Sequence, residues 1–208
     1  MRIEKFVFGP VGTNCYIVIN EMTSECFAVD MADCPQEFVK HIKDAGLCVK
    51  ALLLTHGHFD HIMGAERFAE IFGCPVYAYE GEENILCDPV LNASATMLGQ
   101  SYVFTKAEYV KADTQIETAG FQVEIIPTPG HTEGGCCYVA CKTVEKYERQ
   151  VLALPKHSFK GGVHPLHDQH EGKTSTSGLP IREYIPDIWK RQRFRMKRNI
   201  ILSYKVNK

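Results

Sequence analysis

Residues 55–61 read Thr55-His56-Gly57-His58-Phe59-Asp60-His61, which places four potential metal ligands within six positions. In extended backbone, side chains two residues apart point the same way, so His56 and His58 can approach one ion. A helix that follows the segment can bring Asp60 and His61 to a second face of the same pocket. Imidazole nitrogens and carboxylate oxygens are ligands that Zn²⁺ accepts. This density of ligands favours a metal site over a polar loop whose histidines bond to backbone carbonyls.

The sequence around this segment alternates between strand-like and helix-like patterns. The segment directly follows the apolar run 49–54, which is typical of a strand covered on both faces. The predicted strands are residues 2–8, 15–20, 26–30, 49–54, 75–79, 109–111, 115–118, 121–126 and 136–141. The predicted helices are residues 35–45, 62–72 and 80–86, and residues 88–106 are predicted to be irregular. This alternation predicts a mixed α/β domain.

The charge of the chain changes abruptly near residues 142–150. The chain has 208 residues, enough for one domain with a substantial core. Up to Cys141 it holds 8 lysines and arginines against 19 acidic residues, whereas the rest holds 15 against 6. All nine cysteines also lie before this boundary. We therefore predict a core domain over residues 1–150 and a divergent, basic, poorly patterned segment over residues 151–208.

Three stretches resemble a known family. The HxHxDH pattern of residues 55–61 resembles the signature of the metallo-β-lactamase superfamily. The sequence GPVGTNCYIV at residues 9–18 resembles the N-terminal strands of its glyoxalase II-like (hydroxyacylglutathione hydrolase-like) members, and residues 128–135, with His131, resemble their TPGHTxG loop. The matches occur in family order and cover residues 1–141. The resemblance implies the αββα sandwich of the superfamily.

The resemblance also implies a ligand set and a reaction. His56, His58 and His131 correspond to the first metal site, and Asp60 and His61 correspond to part of a second one. The implied cofactor is Zn²⁺, as one or two ions, with iron or manganese as alternatives. The implied activity is that of a metallo-hydrolase that cleaves a thioester or related ester with a metal-bound hydroxide, which Asp60 orients. Glyoxalase II itself carries an added helical domain for the glutathione moiety, and this sequence shows no such domain. Glutathione thioesters are therefore disfavoured as substrates.

The C-terminal part departs from the family pattern. Members carry a further strand that ends in Gly-Asp, whose aspartate bridges both metals, and later a last histidine ligand. Residues 151–159 and the surroundings of Asp168 and Asp187 match neither. We therefore expect a sandwich that is incomplete in its C-terminal half and a weakened second metal site. A reading-frame shift near Leu152 would explain the departure; alternatively, the histidines of residues 157–170 replace the missing ligands.

The sequence leaves two alternatives to a thioesterase-like hydrolase. The chain could bind metal without turning over substrate, because the second-site aspartate is missing. It could instead process nucleic acid with the basic run 190–198, although the acidity of residues 1–141 disfavours this. We expect a small-molecule substrate, no membrane segment and, from the cysteine content and the absence of a signal-peptide pattern, a cytoplasmic location. The sequence predicts no particular oligomeric state.

Overall fold

The computed structural model describes residues 1–142 and 149–151, which form two β-sheets with helices. The first sheet has the order β1-β2-β3-β4-β5-β6 and the second has the order β10-β9-β8-β7. The strands of the first sheet are Arg2–Phe8, Thr13–Asn20, Glu25–Val29, Cys48–Leu54, Val76–Tyr79 and Glu108–Val110. Those of the second, β7 to β10, are Gln115–Thr118, Phe121–Pro127, Cys136–Lys142 and Arg149–Val151. Each strand predicted from the sequence is present, and β10 is an additional one.

The first sheet changes from antiparallel to parallel pairing at β3. The strands β1, β2 and β3 form an antiparallel meander, and β3 to β6 are parallel. In the parallel part, Leu53 lies opposite both Val29 and Tyr77. The carboxyl ends of β3, β4 and β5 therefore lie level at one edge of the sheet. That edge is where open α/β sheets place their functional groups.

In the described residues, five helices connect or follow these strands. They are α1 to α5, with the bounds Gln36–Asp44, Phe59–Ile62, Ala65–Phe72, Glu83–Cys87 and Ser94–Met97. A single 3₁₀ turn, Glu80–Glu82, comes directly before α4. The predicted irregular region 88–106 thus contains one short helix, α5. No helix in the described part of the chain is long and apolar enough to cross a membrane.

Two apolar cores lie on opposite faces of the first sheet. One core joins that sheet to the helices and includes Leu52, Leu54, Phe38 of α1 and Phe68 of α3. The other joins the two sheets and includes Ala51, Leu53, Phe27, Phe121 and Tyr138. Alternate residues of β4 therefore point into different cores, which confirms the prediction that this strand is covered on both faces. The described residues thus form three layers, helices, sheet and sheet, of the expected α/β sandwich.

The prediction of one continuous helix over residues 62–72 was wrong. The helix is divided into α2 and α3, with Gly64 between them. The Gly64 N–H donates to the carbonyl oxygen of Met31 at 2.8 Å. A Cβ atom at Gly64 would lie only 2.5 Å from the carbonyl carbon of Asp33. Close approach to the segment after β3 therefore fixes this point of the chain, which the apolar stripe of the helix did not reveal.

Several expectations concern residues outside the described part of the chain. These are the divergent segment 151–208 apart from Val151, the histidines of residues 157–170 and the basic run 190–198. The proposed boundary near residue 150 also stays a prediction.

Candidate metal centre

The segment 55–61 begins where β4 ends, at the edge shared by β3, β4 and β5. The Thr55 carbonyl accepts a hydrogen bond of 2.9 Å from the Cys136 N–H of β9. The Tyr138 hydroxyl, also in β9, donates to the Leu54 carbonyl at 2.8 Å. These bonds attach β9 of the second sheet to the end of β4. The loop that precedes β9, which carries His131, is thereby brought beside the segment 55–61.

Three of the five predicted ligands form one cluster. Each of His56, His58 and His131 has a ring nitrogen within 4.8 Å of the corresponding nitrogens of the other two. The ring centres are 4.9 Å apart for His56 and His58, 4.9 Å for His56 and His131, and 4.4 Å for His58 and His131. His56 is buried, and the other two are half-buried. One side of the cluster is therefore open enough to receive a ligand from outside.

The ring orientations of this cluster fit a metal ion. His58 Nδ1 and His131 Nε2 face each other at 2.8 Å. His56 Nδ1 lies 3.1 Å from the Thr55 hydroxyl, which leaves Nε2 for the cluster. Tetrahedral zinc with Zn–N bonds of about 2.0–2.1 Å needs ligand nitrogens about 3.3 Å apart. Small ring rotations would convert the observed spacings into that geometry, so the residues fit a three-histidine metal site.

Asp60 and His61 lie beside this cluster, on α2. The His61 ring centre is 4.0 Å from that of His56, and His61 Nε2 is 3.5 Å from Asp60 Oδ2. The Thr13 hydroxyl donates to the same Asp60 oxygen at 2.5 Å. Thr13 is the first residue of β2, so the start of that strand contributes to the site. Within the described residues, the histidine cluster is the only group of three or more potential metal ligands.

Asp30 holds the segment 55–61 in place, and the sequence analysis did not single it out. Its Oδ1 accepts a hydrogen bond of 2.8 Å from the Thr55 N–H. Its Oδ2 accepts one of 2.8 Å from the Thr55 hydroxyl and faces His61 Nδ1 at 2.8 Å. Asp30 is buried, directly follows β3 and has a φ of 57°, a backbone conformation that aspartate tolerates better than most residues. An acidic residue directly after an apolar strand was the signal available for it.

The loop that carries His131 has a compact backbone of its own. The Thr128 N–H donates to the Gly135 carbonyl at 2.6 Å, and the Gly130 N–H donates to the Thr132 carbonyl at 3.0 Å. Gly130 has a φ of 152°. These bonds close the loop across its base, where β8 and β9 pair. The position of His131 is therefore determined by the turn as well as by the sheet.

Comparisons with known proteins agree with this architecture. The family model described as the metallo-beta-lactamase superfamily matches residues 9–140. The probable metallo-hydrolase YqgX of Bacillus subtilis is 32% identical over 139 residues, which cover 66% of this chain and 65% of the relative. The probable polyketide biosynthesis zinc-dependent hydrolase BaeB of Bacillus velezensis is 28% identical over 125 residues, 60% of this chain and 49% of that protein. The chain thus spans less than two thirds of the length of these relatives.

A solved structure gives the same result. The crystal structure of the BLEG-1 B3 metallo-beta-lactamase is similar with a TM-score of 0.61 and 29% sequence identity, over 66% of this chain and 66% of that one. The family model covers well over half of the chain, and it spans the segment 55–61 and His131. The chain belongs to the metallo-beta-lactamase superfamily.

Proposed function

We propose that the chain is a metal-dependent hydrolase that cleaves a thioester or a related activated ester. The observation that carries this proposal is the approach of the ring nitrogens of His56, His58 and His131 to within 4.8 Å of one another. The names of YqgX, a probable metallo-hydrolase, and of BaeB, a zinc-dependent hydrolase, support metal-dependent hydrolysis. The thioester specificity rests on the resemblance of residues 9–18 and 128–135 to glyoxalase II-like proteins.

The three histidines would hold the metal ion, and zinc suits an all-imidazole set. Bound zinc would lower the pKa of its water to about 7 and would polarise the carbonyl group of the substrate. The protein's own contribution is to position the reactants. Asp60 Oδ2, to which the Thr13 hydroxyl donates, would accept a hydrogen bond from the attacking water and so orient it. Asp60 is thus the proposed catalytic residue.

We further propose that a single ion occupies the histidine cluster. Among the described residues, only Asp60 and His61 correspond to the second site of the family, and two protein ligands hold an ion weakly. Elemental analysis of the purified chain should give one tightly held ion per chain, as zinc, iron or manganese. Two ions that survive dialysis against a weak chelator would contradict this proposal.

The test of function is a substrate panel assayed with and without added zinc. A thioester, an oxygen ester and a phosphodiester should be compared with the wild-type chain, with Asp60→Asn and with His131→Ala. Thioester hydrolysis should require metal and should fall about 10²–10⁴-fold in Asp60→Asn, which is the usual contribution of a proton-transfer group. His131→Ala should lose metal as well as activity. Metal binding without any hydrolysis would contradict the hydrolase proposal.

That last outcome would instead support the second candidate function, a metal-binding protein that does not turn over substrate. The observation that favours it is that, among residues 1–142 and 149–151, Asp60 and His61 belong to no group of three potential metal ligands, whereas the three histidines form one. The partner we propose is a small ester or thioester. Nucleic-acid binding by the run 190–198 concerns residues outside the described part of the chain, and phosphodiester cleavage in the panel tests it.

We also propose that the protein works in a reducing compartment such as the cytoplasm. All nine cysteines are free thiols, and six of them are buried. A thiol-rich core of this kind suits a compartment that keeps cysteines reduced. Fractionation of the source cells with antibodies against the chain would test the location.

A further inference from the structure

Glu82 is a fully buried acidic residue that contacts both loops of the histidine cluster. Its Oε2 accepts a hydrogen bond of 2.6 Å from the Gly57 N–H, between His56 and His58. Burial raises the pKa of Glu82, whereas the Thr132 side chain and the backbone of Gly57 and Gly134 act to lower that pKa. Thr132 and Gly134 belong to the loop of His131. Glu82 thus lies between two loops that are distant in sequence, and its carboxylate bonds to one of them.

The backbone around Glu82 is packed just as closely against these loops. A Cβ atom at Gly57 would lie 3.1 Å from the Leu86 nitrogen in α4. A Cβ atom at Gly134 would lie 2.2 Å from the Gly81 carbonyl carbon and 2.6 Å from the Glu82 nitrogen. Only glycine permits the approach at position 134, and a Cβ atom at position 57 would require its neighbours to shift. The 3₁₀ turn and α4 therefore form a common support for both loops of the cluster.

A carboxylate is an expensive group to bury at such a place. Removing it from water costs free energy unless its oxygens accept hydrogen bonds, and an apolar side chain would fill the same space at lower cost. Oε2 accepts from the Gly57 amide, whereas Oε1 is buried without a hydrogen-bond partner among the described residues, as is the Thr132 hydroxyl in the loop of His131. A buried carboxylate at the junction of the two loops is explained if its role is to fix them relative to each other.

We infer that Glu82 is a positioning residue, which sets the spacing between the His56–His58 loop and the His131 loop and thereby the affinity of the histidine cluster for metal. The inference rests on the proposed metal binding. Glu82 would touch neither the ion nor the substrate. It acts through the Gly57 amide on one side and through the close packing of the Gly81–Glu82 backbone against Gly134 on the other.

The test measures zinc affinity of the full chain by competition with a chromophoric chelator. We compare the wild-type chain with Glu82→Leu, Glu82→Gln and the control Ile42→Ala, which weakens the core at α1. Glu82→Leu should raise the zinc Kd about 10–100-fold, the usual effect of losing a group that orients metal ligands. Glu82→Gln keeps one acceptor for the Gly57 amide and should raise the Kd less. Ile42→Ala should lower thermal stability but leave the Kd unchanged.

A second measurement needs no metal. The short bond to a carboxylate should place the Gly57 amide proton far downfield in the NMR spectrum of the zinc-free chain. That resonance should move upfield in Glu82→Leu and stay in place in Ile42→Ala. An unchanged Gly57 resonance, or a zinc Kd of Glu82→Leu equal to that of the wild type or of Ile42→Ala, would overturn the inference alone. A wild-type chain that binds no zinc would overturn the proposed function together with it.

Discussion

At the scale of single residues, the candidate site depends on side chains that hold its ligands. Asp30 accepts from both polar groups of Thr55 and faces His61, and Thr13 donates to Asp60. Such partners fix the orientation of metal ligands before any ion arrives. The three-histidine cluster is therefore one part of a larger polar network at the edge of the first sheet.

Asp30→Asn should lower the free energy of unfolding of the metal-free chain. Asparagine tolerates the backbone φ of 57° at this position, so the backbone should not change. Its amide group would replace one acceptor with a donor that faces the donors of Thr55 and His61, and a buried unsatisfied group of this kind costs about 1–3 kcal/mol. Urea denaturation measures the difference.

Asp33→Asn is the matched control for that experiment. Asp33 is exposed, and its side chain accepts from the neighbouring Cys34 N–H at 2.7 Å. A similar loss of stability in both variants would show that Asp30 has no special role in the network.

At the scale of secondary-structure elements, the break between α2 and α3 depends on Gly64. Gly64→Ala should destabilise the chain by about 1–3 kcal/mol, because the new methyl group would overlap the Asp33 backbone. Gly46→Ala is the control, since Gly46 has a φ of 66° and no neighbour within 4 Å of the added carbon. It should cost about 1–2 kcal/mol from backbone strain alone.

The two glycine variants differ in the cause of their destabilisation, which is steric overlap at position 64 and backbone strain at position 46. Enlarging to leucine, which is not β-branched, should add a further loss at position 64, where space is limiting, and little at position 46, which is open. Thermal unfolding of the four variants separates the two causes. Equal losses for leucine at both positions would contradict the close approach of Gly64 to Asp33.

The elements also show what the sequence could and could not predict. The strands and α1 were predictable because their apolar periodicity is local. The candidate ligands of the segment 55–61 could be identified because they are contiguous, and His131 because its loop resembles a family motif. Asp30 and Glu82 were missed because each contacts the segment at a sequence separation of 25 residues. The division of the helix at Gly64 likewise depends on a contact that only the folded chain creates.

At the scale of the whole molecule, the two cores predict a pattern of cysteine reactivity. Burial raises the pKa of Cys15 and Cys26 to about 12, whereas Cys48 and Cys87 are exposed. A rise of this size lowers the thiolate fraction at pH 8 about 1000-fold, and the thiolate is the reactive species. Iodoacetamide should therefore label the exposed pair first, as mass spectrometry of peptides would show.

Labelling in denaturant is the control, because all nine thiols should then react at similar rates. Rapid modification of Cys26 in the native chain would contradict the burial of β3 between the two cores. The experiment thus tests the layered arrangement without reference to any metal.

The central claim is that His56, His58 and His131 bind one metal ion together. X-ray absorption at the zinc edge of the zinc-loaded chain tests it most directly, because nine cysteines offer the ion an alternative. The account predicts three imidazole nitrogens at about 2.0–2.1 Å and their loss, one ring at a time, in single alanine variants of the cluster. Sulfur ligands at about 2.3 Å, or a spectrum unchanged by His131→Ala, would contradict it.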